Sequence, residues 1–122
     1  MTIPEIAGID RQQVETLLGG DGEMFVELLR GFVAEYGDSA SWIEAALARG
    51  DRAGAAAHLH KLRGTAGYLG ASGIVGASRQ LEDALKAGSS EIPTLLAGYA
   101  RCLAEVVQAA APWLAAPAGA AG

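Results

Sequence analysis

Residues 51–70 read D-R-A-G-A-A-A-H-L-H-K-L-R-G-T-A-G-Y-L-G. Asp51 is an N-cap residue, whose carboxylate can accept from a free backbone N–H of the first turn. Ala56, Leu59, Leu62, Ala66 and Leu69 then recur by threes and fours, the spacing of one helix face. Gly70 supplies the stop, because glycine alone enters the left-handed conformation without cost. One amphipathic helix with a start, a stripe and an end is thus written in a single stretch.

The same grammar extends in both directions. Downstream, Ser72 is placed to cap a helix with Ile74, Ala77, Leu81 and Leu85 inward, and Gly88 ends it. Ser89 or Ser90 caps the next, with Glu91 and Pro93 in its first turn. Ile92, Leu95, Leu96, Tyr99, Leu103, Val106 and Val107 form its stripe, and the pattern runs as far as Trp113. Upstream, Asp21 starts a helix with Glu23 in its first turn and Phe25, Leu28, Leu29, Phe32 and Tyr36 on one face. Ile43, Ala46 and Leu47 resume nearly the same phase beyond Gly37. An interior glycine costs only about 1 kcal/mol relative to alanine, so the pattern predicts one long helix over 22–49, bent at Gly37. Two helices with a tight turn at residues 37–39 is the competing reading. A short first helix follows Asp10, where Asp10 and Gln13 have capping-box spacing; Val14, Leu17 and Leu18 give its face, and Gly19 and Gly20 end it. The fold expected is all-α: an antiparallel up-down four-helix bundle with a short extra N-terminal helix. Residues 1–8 read as an extended lead-in, 9–114 as the bundle and 115–122 as a disordered tail.

Composition agrees and excludes several functions. The chain has 122 residues, 51% of them hydrophobic but only 6% aromatic, with 17 glycines and a net charge of −5. Few residues are β-branched, which disfavours a sandwich or barrel. The Lys and Arg residues are spread out, with no basic stripe for nucleic acid and no polybasic membrane anchor. No run approaches the roughly 18 apolar residues of a membrane span, and the N-terminus lacks the pattern of a signal peptide. The single cysteine, Cys102, has no intrachain partner, and the expected location is the cytoplasm.

Chemistry-bearing residues are sparse. His58 and His60, two apart on a helix, point about 200° away from each other and cannot chelate one metal. No zinc motif, nucleophile elbow or ATP-binding loop is present, and no cofactor is expected. Beside the buried stripe of the 51–70 helix, however, run His60, Arg63, Gly64 and Gly67. A neutral imidazole is a nucleophile at cellular pH. Arg63 can balance the charge of an incoming phosphoryl group. Gly64 leaves the imidazole accessible to a partner's surface. Spacing alone leaves a second reading open, a solvated histidine beside a small-residue helix contact.

The run His60-Lys61-Leu62-Arg63-Gly64, with Gly70-Ala71 downstream, resembles the signature of histidine-containing phosphotransfer (HPt) domains. Gly19-Gly20-Asp21 followed by Phe25, Leu28, Leu29 and Phe32 is similar to the start of that family's second helix. Leu81-Glu82 with Leu85 is similar to its fourth-helix element. Ile3-Pro4 through Gly8-Ile9-Asp10 is similar to the start of HPt modules that close hybrid sensor kinases. The resemblance covers roughly residues 3–107.

The resemblance implies a phosphocarrier, not an enzyme with its own ATP site. Its histidine takes a phosphoryl group from a receiver-domain aspartate and passes it to another receiver. His60 matches that histidine, Arg63 the basic position (usually Lys), and Gly64 the glycine that clears space around the ring. Glu82 falls where many members carry a Gln or Glu bonded to the imidazole; a solvated carboxylate is the other reading. Lys61 is a supporting candidate for phosphate or partner contacts, and Lys86 reads as a surface lysine with the same options. Tyr68 lines the docking surface or packs half-buried. Leu59 stands where many members have Ala. His58 reads as solvated or partly packed, and Trp42 and Trp113 as edge-of-core residues. The implied partners are response-regulator receivers and a hybrid histidine kinase. The receiver is expected to supply Mg²⁺, and the chain is expected to be monomeric. Two other readings remain: a docking module of the same fold that carries no phosphate, and the dimerisation bundle of a histidine kinase. Lys61 and the lack of a nearby proline speak against the last.

Overall fold

The computed structural model describes residues 1–115, and the tail expected over 115–122 lies outside them from residue 116 onward. Among the described residues the regular structure is entirely helical: α1 (Arg11–Leu18), α2 (Gly22–Tyr36), α3 (Ser39–Ala48), α4 (Arg52–Tyr68), α5 (Ser72–Ala87) and α6 (Ile92–Leu114). The contacts of α4 with α5 and of α5 with α6 are the most extensive, while α3 lies on α4 and α6, and α2 reaches both α4 and α6. No helix is long and apolar enough to cross a membrane among the described residues.

Three aspartates start helices as their positions predict. Asp10 accepts from the Gln13 N–H at 3.2 Å, Asp21 from Met24 at 3.0 Å and Asp51 from Gly54 at 2.8 Å. Each satisfies one of the donors that a helix N-terminus leaves unpaired. The capping box at α1 is only half formed. The Asp10 N–H donates instead to the Gly70 carbonyl at 2.7 Å, and the Gln13 side chain reaches the Gly67 carbonyl at 3.5 Å. Serine caps neither α5 nor α6: Ala71 and Glu91 occupy their N-cap positions, with no side-chain cap. Ser89 accepts from the Glu91 N–H at 3.1 Å, before the helix begins.

The single helix expected over 22–49 is two helices. The Gly37 N–H still bonds the Val33 carbonyl, but Asp38 leaves helical geometry at φ −100°, ψ 18°. Gly, Asp and Ser in succession hold a helix weakly. The interruption also has a tertiary cause. Ser39, 2% exposed, opens α3 with its Oγ 2.7 Å from the Tyr99 hydroxyl on α6. A buried hydroxyl needs such a partner.

The apolar stripe of α4 is buried in full: Ala56, Leu59, Leu62, Ala66 and Leu69 are all below 7% exposure. Phe25, Leu29, Phe32, Ile43, Ile74, Leu81, Leu85, Tyr99, Leu103 and Val106 complete most of the core. Two expected core residues turn outward, Leu17 at 50% and Leu28 at 41% exposure. The lead-in contributes to the core as well, since Ile3 and Ile6 are buried. It crosses the start of α2, where the Gly22 N–H donates to the Met1 carbonyl at 2.9 Å.

A Cβ on Gly22 would overlap the Thr2 carbonyl oxygen, whereas one on exposed Gly31 would meet open space. Gly22→Ala is therefore expected to destabilise the fold by about 1–3 kcal/mol, the cost of overpacking. Gly31→Ala should stabilise it by ~0.5–1 kcal/mol through helix propensity. Urea denaturation of the two variants checks the opposite signs.

Candidate functional site

The buried stripe of α4 fixes what its other face presents. With Leu59, Leu62 and Ala66 in the core, His60 stands outward and its side chain is 74% exposed. Arg63, one turn on, lies alongside, with a guanidinium nitrogen 3.2 Å from the imidazole Nδ1. A Cβ on Gly64 would meet nothing within 4 Å. The chain's own packing thus gives no reason for a glycine in mid-helix, and access from outside is the reason that remains.

Neighbouring α5 supplies the second half of the site. Leu81 and Leu85 anchor it in the core, which turns Glu82 toward α4. The Glu82 side chain is only 5% exposed, so it is not a solvated carboxylate. It pairs with Arg63 at 2.7 Å and with Lys86, one turn away on its own helix, at 2.8 Å. Burial pushes the Glu82 carboxyl up, but the hydrogen bonds and charges of Lys86 and Arg63 outweigh it and hold the group below the usual carboxylate range. Its Oε2 stands 3.7 Å from the His60 Nδ1, so the guanidinium, not the carboxylate, is the nearer partner of the ring.

The structure therefore brings His60, Arg63, Gly64 and Glu82 together. It adds Lys86, a surface lysine that pairs with Glu82. The signal for Lys86 was present: Glu82 and Lys86 have the i, i+4 spacing of a helical ion pair. Lys61 is exposed on α4. It lines a largely apolar depression of about 520 Å³ together with Leu18, Leu28, Gly64, Thr65, Tyr68 and Leu69. Tyr68 is 61% exposed there. The outward turn of Leu28 thus has a place on the surface: it stands beside the helix that carries His60.

His58 belongs to a separate cluster. Its Nε2 is 2.6 Å from the Ser39 Oγ, its ring stacks on Trp42 at 4.4 Å between centroids, and Tyr36 meets it edge-on at 5.5 Å. No sequence pattern links positions 39, 42, 58 and 99, so this cluster was not legible in advance. Burial pushes the His58 pKa down and Lys61 adds to this, against an opposing pull from Glu35. The sign of the consequence follows from linkage. The unfolded chain takes up a proton near the ordinary histidine pKa of about 6.5, at a pH where folded His58 does not. The stability that neutral His58 contributes is thus complete above that pH and is lost as pH falls below it. The melting temperature is expected to drop between about pH 7 and pH 5.5, and His58→Gln to flatten that slope. Thermal denaturation across this range checks it.

Among the described residues no group of three or more His, Cys, Asp and Glu side chains is placed to hold a metal ion. A family model described as the Hpt domain matches residues 27–111 of the chain. No curated protein and no solved structure matches it.

Proposed function

The chain belongs to the Hpt domain family, and from that premise we propose that His60 is its phospho-accepting residue, taking a phosphoryl group from a receiver-domain aspartate and passing it to another receiver. Membership brings a role in histidine phosphotransfer within a phosphorelay, and receiver domains as the kind of partner. The observation that carries the assignment to His60 is its exposed imidazole beside a cation and an open glycine. The other histidine is engaged by Ser39 and Trp42.

Phosphoryl transfer passes through a loose, in-line transition state in which positioning and charge stabilisation do most of the catalysis. The His60 Nε2 attacks the phosphorus of an aspartyl phosphate; the N–P bond forms as the P–O bond to the carboxylate breaks. Arg63 offers its charge to the phosphoryl oxygens. The metal and the acidic pocket belong to the receiver in this reading. The depression lined by Leu18, Leu28 and Tyr68 receives the partner's apolar surface. Short turns between packed successive helices, as from α4 to α5 and α5 to α6, support an up-down four-helix arrangement around this face. A monomer in the cytoplasm, free-standing or within a hybrid kinase, completes the reading.

Incubation with a phosphorylated receiver tests it. The expected product is an acid-labile, base-stable mass increase confined to His60. A receiver that binds stably without leaving any such modification defeats the reading in favour of a docking module.

A further inference from the structure

His58, Ser39 and Tyr99 form a hydrogen-bonded chain across three helices that phosphoryl transfer does not use. The Ser39 Oγ stands 2.6 Å from the His58 Nε2 on α4 and 2.7 Å from the Tyr99 hydroxyl on α6. Ser39 itself opens α3, directly after the break at Gly37 and Asp38. The chain has a direction. Tyr99 is fully buried, and burial pushes its hydroxyl up to about 12, so it keeps its proton across the physiological range. A buried hydroxyl proton needs an acceptor. Tyr99 therefore donates to Ser39, and Ser39 donates its single proton to the Nε2 lone pair of His58. Neutral His58 then carries its own proton on Nδ1.

Two contacts join the three side chains, and in the neutral state two hydroxyl protons fill them. A proton taken up on Nε2 brings a third donor to the same two contacts. Imidazolium accepts nothing, so either the Ser39 or the Tyr99 proton is left without a partner beside the core. That cost is relieved by local opening. The element placed to open is α3, ten residues long, whose N-cap Asp38 makes no side-chain cap and which lies on α4 and α6.

The charges around the ring give an imidazolium somewhere to go. Glu35 from α2 and Asp38 from the turn line the same open cleft of about 320 Å³ as His58, with Lys61 one turn along α4. Tyr36 of α2 meets the ring edge-on and Trp42 of α3 stacks on it, with the Arg49 guanidinium 5.9 Å from the Trp42 ring centre. The cleft side thus offers carboxylates, and the core side a chain that protonation disrupts.

We propose that the His58–Ser39–Tyr99 chain is a pH-sensitive latch, holding α3 against α4 and α6 while His58 is neutral and releasing it when His58 is protonated. The latch is closed above the ordinary histidine pKa of about 6.5. It opens as pH falls through the lower pKa of folded His58. Lys61 lines both this cleft and the depression next to Gly64 and Tyr68, so α3 opens beside the surface assigned to the receiver. The device needs neither a receiver nor a phosphoryl group.

Imidazole proton–nitrogen spectra and amide hydrogen exchange of the ¹⁵N-labelled full chain, from about pH 7.5 to pH 5, read both ends of the latch. Exchange rates are divided at each pH by those of an unstructured peptide. Neutral His58 is expected mainly as Nδ1–H. As it titrates, protection of the Trp42 and Ile43 amides in α3 should fall about tenfold, the effect of one unpaired buried donor, while Leu81 and Leu85 in α5 keep theirs. Ser39→Ala combined with Tyr99→Phe removes both hydroxyls and leaves the Trp42 stack. His58 should then titrate at higher pH, because the hydrogen bond that favours its neutral form is gone, and α3 protection should no longer follow pH. Should the double variant not fold, Ser39→Ala alone breaks the same chain and carries the same expectation. A neutral wild-type ring that is mainly Nε2–H overturns the latch, as does α3 protection that stays constant while His58 titrates. Loss of protection shared equally by α5 marks global unfolding and also overturns it. A hydroxyl-free variant that keeps the wild-type His58 titration and pH dependence assigns both to burial alone and defeats the latch.

Discussion

His60→Ala is expected to reduce phosphoryl uptake from a phosphorylated receiver to background while leaving the fold intact. The two halves of that expectation have separate physical grounds. The His60 side chain is 74% exposed and contributes nothing to the core, so its removal should change stability by no more than about 0.5 kcal/mol. Uptake, by contrast, has no second nucleophile to fall back on. His58 faces away on the same helix, with its Nε2 2.6 Å from Ser39 and its ring stacked on Trp42. The measurement is acid-labile label on His60→Ala beside His58→Gln, with helical circular dichroism recorded on both. Full label on His60→Ala would sink the assignment. Loss of label on His58→Gln with the fold retained would move the assignment to His58.

The largest stability effect is expected at Phe25. The chain contains two phenylalanines, and both are buried, Phe25 at 0% and Phe32 at 1% exposure. A core made mostly of leucine, isoleucine and alanine has few large side chains able to close a hole. Phe25→Ala is therefore expected to cost about 3–5 kcal/mol, the transfer of the ring plus the cavity it leaves. That is a large share of the roughly 5–15 kcal/mol by which single domains are stable. Trp113, larger but 39% exposed, gives the contrast. Trp113→Ala removes a side chain already partly in water and should cost well under half as much by the area it uncovers. Urea denaturation midpoints of the two variants check the order.

The legible part of the fold lies where local chemistry and periodicity agree. Asp10, Asp21 and Asp51 each accept a backbone N–H three residues on, as their positions ahead of apolar stripes predict. Gly70 and Gly88 stop their helices at φ +68° and +65°. The stripe from Ala56 to Leu69 is buried residue for residue. Two of the failures share one cause. Gly37 has the spacing of a tolerated interior glycine, but Ser39 is held by Tyr99, sixty residues away. Leu28 has core spacing but faces a surface depression completed by Tyr68. Neither contact has a signature in the local sequence.

The site divides along the same line. Local sequence is enough for the helical character of the chain, for the helix face that carries His60, Arg63 and Gly64, and for the resemblance that names their chemistry. Those properties depend on residues a few positions apart, whose relative directions follow from helix geometry. The burial of Glu82, its pairing with Arg63 and Lys86, and the closer approach of Arg63 to Nδ1 come from the packing of the helices. The approach of α5 to α4 sets those distances, and it depends on how leucine and alanine side chains from separate helices fill one core.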